Sequence, residues 1–119
     1  MSDTAAFYDQ VLSRVIRFVE YDGYGGKPRN AAKAIRKKFP HMSLAECAAA
    51  FQKVLAVYEE AAALICSNED ACWDVFTRTG RKVLIPDSLR LELAQNHPDV
   101  PESTTSGALS WIFYWHHLR

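Results

Sequence analysis

Apolar and polar positions alternate with a helical period over most of this chain. The pattern is longest in Ser43–Cys66, SLAECAAAFQKVLAVYEEAAALIC, where Leu44, Cys47, Ala48, Phe51, Val54, Leu55, Tyr58, Ala61, Ala62 and Ile65 fall on one stripe. The run is rich in strong helix formers and contains neither Gly nor Pro. Ser43 and Glu46 form a capping box: the hydroxyl accepts from the Glu46 amide and the carboxylate from the Ser43 amide. Glu46, Gln52, Lys53, Glu59 and Glu60 make a narrow polar strip. Ala49, Ala56 and Ala63, beside Ala50, Val57 and Leu64, add a second face of mostly small side chains that lets a neighbouring helix approach closely. Two apolar faces with a thin polar edge predict the buried spine of a bundle. Packing within the domain, rather than a docking groove for a partner helix, is the expected use of the small face.

The same reasoning places helices on either side. Thr4–Tyr21, capped by Ser2 or Asp3, buries Tyr8, Val11, Leu12, Val15, Phe18 and Val19 and leaves Arg14 and Arg17 in water; Gly23 ends it in a left-handed conformation. Arg29–Phe39 buries Ala31, Ile35 and Phe39, with Ala32 and Ala34 flanking. Pro40 stops that helix and Ser43 caps the next. Ser67 or Asn68 caps Glu69–Thr79, whose inner residues are Cys72, Trp73 and Phe76, and Gly80 closes it. Arg81–Pro86 reads as extended. Leu89, Leu91 and Leu93 alternate as in a strand, which allows a hairpin with Val83–Ile85. The Pro86-Asp87-Ser88 start and the four-residue spacing of Leu89, Leu93 and His97 favour a helix over Ser88–Asn96. The last helix, Gly107–Leu118, starts at Thr105 or Ser106 and packs Leu109, Trp111, Ile112, Phe113, Tyr114 and Trp115 into one short run. Pro98 and Val100 stand to Leu93 as Pro40 and Met42 stand to Ile35, which aligns Phe51 with Leu109 and Val54 with Ile112. Because proline ends many helices, coincidence is the simpler reading of this correspondence.

The expected fold is therefore all-α: one domain over 1–119, a compact bundle of five or six helices around the long helix at about 43–66. A chain of 119 residues with 49% hydrophobic and 24% charged positions is globular rather than disordered. The first ten residues lack the basic and apolar blocks of a signal peptide, and no apolar run reaches the roughly 18 residues of a membrane span. A cytoplasmic location is expected, and the odd count of cysteines (Cys47, Cys66, Cys72) fits reduced thiols.

Net charge is zero but uneven. Residues 1–58 carry nine Lys and Arg against five acids, and residues 59–119 carry five against nine. The neutral total argues against general coating of nucleic acid, while the asymmetry fits internal complementarity or head-to-tail self-association. Lys27, Arg29, Lys33, Arg36, Lys37 and Lys38 stand with no acid between Gly23 and Ala45. They form either a phosphate- or acid-binding surface or a solvated face whose end complements the helix dipole.

Local chemistry is sparse. Gly25-Gly26-Lys27 before a helix resembles a phosphate-binding loop only generically. Tyr21 stands where the Walker pattern needs Gly, Pro28 where it needs Ser or Thr, and a helix replaces the preceding strand. The second and third helices have the spacing of a helix-turn-helix. The third begins with Leu44, Ala45 and Glu46 rather than base-reading side chains, so contact with nucleic acid would fall to the second helix. His41, His97, His116 and His117 show no metal-ligand spacing, and no GxSxG elbow occurs. No metal, cofactor or catalytic residue is assigned. The expected function is a non-catalytic, bacterial-type protein-interaction domain: an adaptor, a regulator or a toxin-neutralising protein. Its partner, or a second copy in a homodimer, would meet Trp111, Tyr114 and Trp115. The alternative is a nucleic-acid binder using Lys27, Arg29, Lys33, Arg36 and Lys37, and a weaker one is a small enzyme or anion-binding domain using the loop at 23–29.

Overall fold

The structure, a computed structural model, describes residues 3–119; Ser2, a possible first cap in the sequence, lies outside them. Six α-helices and no strand occur among the described residues: α1 Asp3–Ile16, α2 Pro28–Lys38, α3 Leu44–Ser67, α4 Glu69–Arg78, α5 Asp87–Asn96 and α6 Glu102–Phe113. The protein is all-α. Both α1 and α6 run on into a π-helical turn, Arg17–Tyr21 and Tyr114–Leu118. The chain divides into two compact units, one up to Ala56 and one from Val57, and the division falls inside α3.

In the first unit α1 packs against α2. Phe7, Val11, Leu12, Val15 and Phe18 are buried, with Ala32 and Ile35 of α2 and Cys47, Ala50, Phe51 and Val54 of α3. Phe18 meets Phe51 edge-on at 5.4 Å, and Phe7 meets Phe39 at 5.3 Å. The capping box forms as its spacing requires: the Ser43 amide donates to Glu46 Oε1 at 2.9 Å and the Glu46 amide to Ser43 Oγ at 3.0 Å. The Ser43 amide first, and then the Ser43 side chain, hold the Glu46 carboxyl below its ordinary pKa.

In the second unit α5 packs against α6. Val57, Tyr58, Ala61, Ile65, Cys72, Val75, Phe76, Leu89, Leu93, Ala108, Leu109, Ile112 and Phe113 are buried. Three expectations change here. Trp73 is 38% exposed, and Val75 takes the inner place assigned to it; adjacent helical positions diverge by about 100°, so Cys72, Val75 and Phe76 share a face that Trp73 cannot. Asn68 precedes α4 but its side chain turns back, Nδ2 donating to Leu64 O at 2.9 Å, and does not cap. The helix expected over Ser88–Asn96 forms as Asp87–Asn96, directly after Pro86, with Leu91 pointing outward while Leu89 and Leu93 are buried. The last helix begins at Glu102, earlier than its apolar run, because Pro101 is extended and initiates it. A fourth change concerns α3 along its whole length. Ala50 and Val57 are buried, whereas Ala49, Ala56 and Ala63 lie exposed one position around the helix.

The two units repeat one backbone motif. Gly23 (φ 54°) and Gly80 (φ 65°) are left-handed, and each is followed by a left-handed non-glycine, Tyr24 (φ 66°) and Arg81 (φ 70°). At the proline corners Phe39 has φ −130°, ψ 67° and His97 has φ −134°, ψ 63°. The Phe39 amide donates to Ile35 O and Arg36 O, and the His97 amide to Leu93 O and Ala94 O. Met42 then donates to Phe39 O at 3.0 Å, and Val100 to His97 O at 3.1 Å. Ile35 and Leu93, Ala50 and Ala108, Phe51 and Leu109, and Val54 and Ile112 are buried, 58 positions apart in each pair. The faint correspondence in sequence is a shared turn–helix–corner–helix geometry.

Candidate binding groove

Helix α2 begins on Pro28, whose missing amide is one of the donors a first turn leaves unpaired. Ala32 and Ile35 fix its inner face by burial. Arg29, Lys33, Arg36 and Lys37 are thereby placed on the outer side, at spacings of three and four residues, all exposed. Arg36 is further held by its Nε, which donates to Met42 O at 3.3 Å across the proline corner. None of the four pairs with a carboxylate among the described residues.

Between α2 and the first turns of α3 runs a groove of about 410 Å³ lined by Pro28, Arg29, Ala32, Leu44, Ala45, Ala48 and Gln52. At Leu44 it meets a second opening of about 530 Å³ lined by Lys33, Arg36, Lys37 and Pro40. Leu44 and Ala48 are half-buried and form the floor, with Ala32 fully buried beneath them; the four cations stand exposed beside it. The capping box contributes directly, since by starting α3 at Leu44 it presents Leu44, Ala45 and Ala48 to α2.

Of the five basic residues singled out in the sequence, Arg29 lines the groove, and Lys33, Arg36 and Lys37 line the opening that shares Leu44 with it. Lys27 lines neither. It lines a separate cleft of about 270 Å³ with Arg14, Arg17, Phe18, Asp22, Gly26, Asn30 and Ala31. Three cations meet there, but a Cβ placed on Gly26 would lie 3.2 Å from Asp22 Oδ2. The Asp22 carboxylate therefore lines the same cleft close to the loop backbone and offsets part of the cations' charge. Sequence reasoning missed Arg14 and Arg17 as neighbours of Lys27 because the contact crosses two helices. It also read Leu44 and Ala48 as part of the core stripe and Ala45 only as a position lacking a base-reading side chain, although their helical spacing marks a continuous strip.

The aromatic residues proposed for partner contact lie in the second unit. Trp111 and Trp115 stack at 5.6 Å, Tyr114 lies 5.8 Å from Trp111, and the Arg119 guanidinium covers the Trp115 ring at 3.8 Å. Tyr114 is 45% exposed, whereas Trp111 Nε1 is buried with no hydrogen-bond partner. These rings largely cover one another.

Two carboxylate–imidazole pairs form among the described residues: Glu69 with His117 at 3.5 Å and, closer, Glu60 with His97. Glu60 Oε1 lies 2.9 Å from His97 Nε2, and Glu60 Oε2 accepts from Asn96 Nδ2 at 2.7 Å. The Asn96 hydrogen bond first, and then His97, lower the Glu60 pKa. With both oxygens engaged, the pair ties α3 to the end of α5 rather than presenting a free base. Burial raises the thiol pKa of Cys47 and Cys72, so neither is an activated nucleophile. No helix among the described residues is long and apolar enough to cross a membrane.

The chain matches no protein-family model, no curated protein and no solved structure.

Proposed function

We propose that this protein is a non-catalytic interaction domain whose α2–α3 groove takes an acidic, amphipathic helical segment of a protein partner. One observation carries the reading: an apolar floor (Leu44, Ala48) lies beside four exposed cations (the rim), Arg29 on the groove itself and Lys33, Arg36 and Lys37 on the opening that shares Leu44 with it. An amphipathic helix laid in such a groove buries its apolar side on the floor and sets its acids against the rim. A phosphate backbone would use the rim alone and leave the floor unfilled, and that distinction favours protein over nucleic acid. Glu46 at the start of α3 also repels phosphate. Rim charges add mainly association rate and selectivity, while desolvation on the floor sets the lifetime of the complex.

The test is a titration of the protein into a fluorescent synthetic peptide of alternating Glu and Leu helical faces, with a labelled DNA duplex as the comparison. The peptide is expected to bind, and Leu44→Glu, which places a charge on the floor, to abolish that binding. Lys33→Glu/Arg36→Glu/Lys37→Glu should abolish it too, with the circular dichroism spectrum unchanged. Duplex binding that survives Leu44→Glu, with no peptide binding by the parent protein, would replace this reading by the nucleic-acid one.

A further inference from the structure

We infer that the acidic helix taken by the groove is α4 of a second copy of this chain, so that copies associate head to tail. The inference rests on the groove reading above and names its occupant. Its basis is charge complementarity resolved to single helices. The unit up to Ala56 holds nine Lys and Arg against five acids, net +4; the unit from Val57 holds five against nine, net −4. Within the second unit, α4 concentrates Glu69, Asp70 and Asp74 at its exposed side.

Trp73 emerges among these acids. It is 38% exposed and is held from behind by Phe76 at 5.8 Å and Phe113 at 5.1 Å, which fixes the ring as a rigid anchor. Tryptophan in such a setting is the side chain most often found to dominate binding energy. The groove has the matching parts: Leu44, Ala45 and Ala48 to receive an aromatic ring, and Arg29, Lys33, Arg36 and Lys37 to face the carboxylates. The helices also match in length, about 15 Å for α4 and about 16 Å for α2. Asp74 meets Arg78 at 3.5 Å with both side chains about two-thirds exposed, and exposed pairs of this kind exchange readily; Glu69 meets the mostly buried His117 at 3.5 Å, which leaves Asp70 and Asp74 as the acids free to exchange partners.

The groove and α4 are different surfaces of one chain, so the contact is heterologous. Each copy offers one groove and one acidic helix, and growth continues unless the rotation closes a ring.

The test uses sedimentation equilibrium of the full chain at low and high salt. The parent protein should associate in a concentration-dependent way at low salt and dissociate at high salt. Two variants block opposite ends: Lys33→Glu/Arg36→Glu/Lys37→Glu reverses three of the four rim cations, and Asp70→Asn/Asp74→Asn neutralises two of the three acids without introducing charge into the first turns of α4. Each alone should weaken association roughly tenfold or more. Mixed in equal amounts, they should form a dimer and nothing larger, since one supplies an intact acidic helix and the other an intact groove. A parent protein that stays monomeric at low salt overturns the inference, as does a mixture no larger than its parts. If that monomer still binds the Glu/Leu peptide, only the second-copy occupant falls; if it binds neither, the groove reading falls with it.

Discussion

Glu60 engages both carboxylate oxygens, one with Asn96 and one with His97. Its pKa is lowered in the folded state, first by the Asn96 hydrogen bond and then by His97. A carboxyl depressed on folding stabilises the protein above its unfolded pKa and loses that contribution as pH falls through the folded one. The melting temperature of Glu60→Gln should therefore lie below the parent's at neutral pH. The two should converge as the solution is acidified through and below the ordinary carboxylate range, which a pair of thermal melts across pH would show. Ser43 carries a second local prediction. Its hydroxyl accepts from the Glu46 amide at 3.0 Å, so Ser43→Ala should cost about 1 kcal/mol in urea unfolding. The same change loosens the start of α3 and with it the groove floor at Leu44. Gly80 has φ 65° with nothing near a would-be Cβ. Gly80→Ala is thus a pure backbone effect, expected to destabilise by about 1 kcal/mol with no change in packing.

At the scale of elements, α2 pits stability against binding. Arg29, Lys33 and Lys37 repeat at four-residue spacing, and like charges so placed repel along a helix by a few tenths of a kcal/mol per pair. Lys33→Glu turns two repulsions into two attractions. It should raise the melting temperature slightly at low salt, with the gain fading at high salt, while weakening peptide binding. A surface that was only solvated would show the gain without the loss. The cations near the end of the helix, Arg36 to Lys38, partly offset the repulsion by facing its C-terminal dipole, so Lys33, in mid-helix, is the more telling position. Helix α3 shows the reverse economy. One capping box and an uninterrupted run of good helix formers set its register, and that register decides which small side chains line the groove.

For the whole molecule, the relevant quantity is the distribution of charge rather than its total. The net charge is zero and the isoelectric point is near 6.9. A neutral protein with evenly mixed charges is indifferent to salt, whereas one divided +4 and −4 attracts copies of itself at low salt and is screened at high salt. Static light scattering at neutral pH should therefore report net attraction that weakens on adding salt. The turn–helix–corner–helix motif common to the two units makes the division sharper. The same backbone carries Arg29 and Lys33 on α2 and Asp87 and Leu91 at the corresponding places of α5.

Helix identity was legible in the sequence because it depends on local terms: side-chain period, caps and prolines. Those terms account for α2, α3 and α5 to within a residue or so, for the capping box, and for the left-handed Gly23 and Gly80. The cations of α2 were legible for the same reason, being close in sequence. Tertiary structure alone decided which apolar residues remain at the surface. Trp73 and the Ala49, Ala56 and Ala63 line read as core because period assigns a face, but burial depends on whether another element covers it. It also decided that Lys27 leaves the other basic residues for Arg14 and Arg17, and that Leu44 and Ala48 become the floor of a groove. Such neighbours come from different helices, and hydrophobic period along one helix carries no information about what stands across from it.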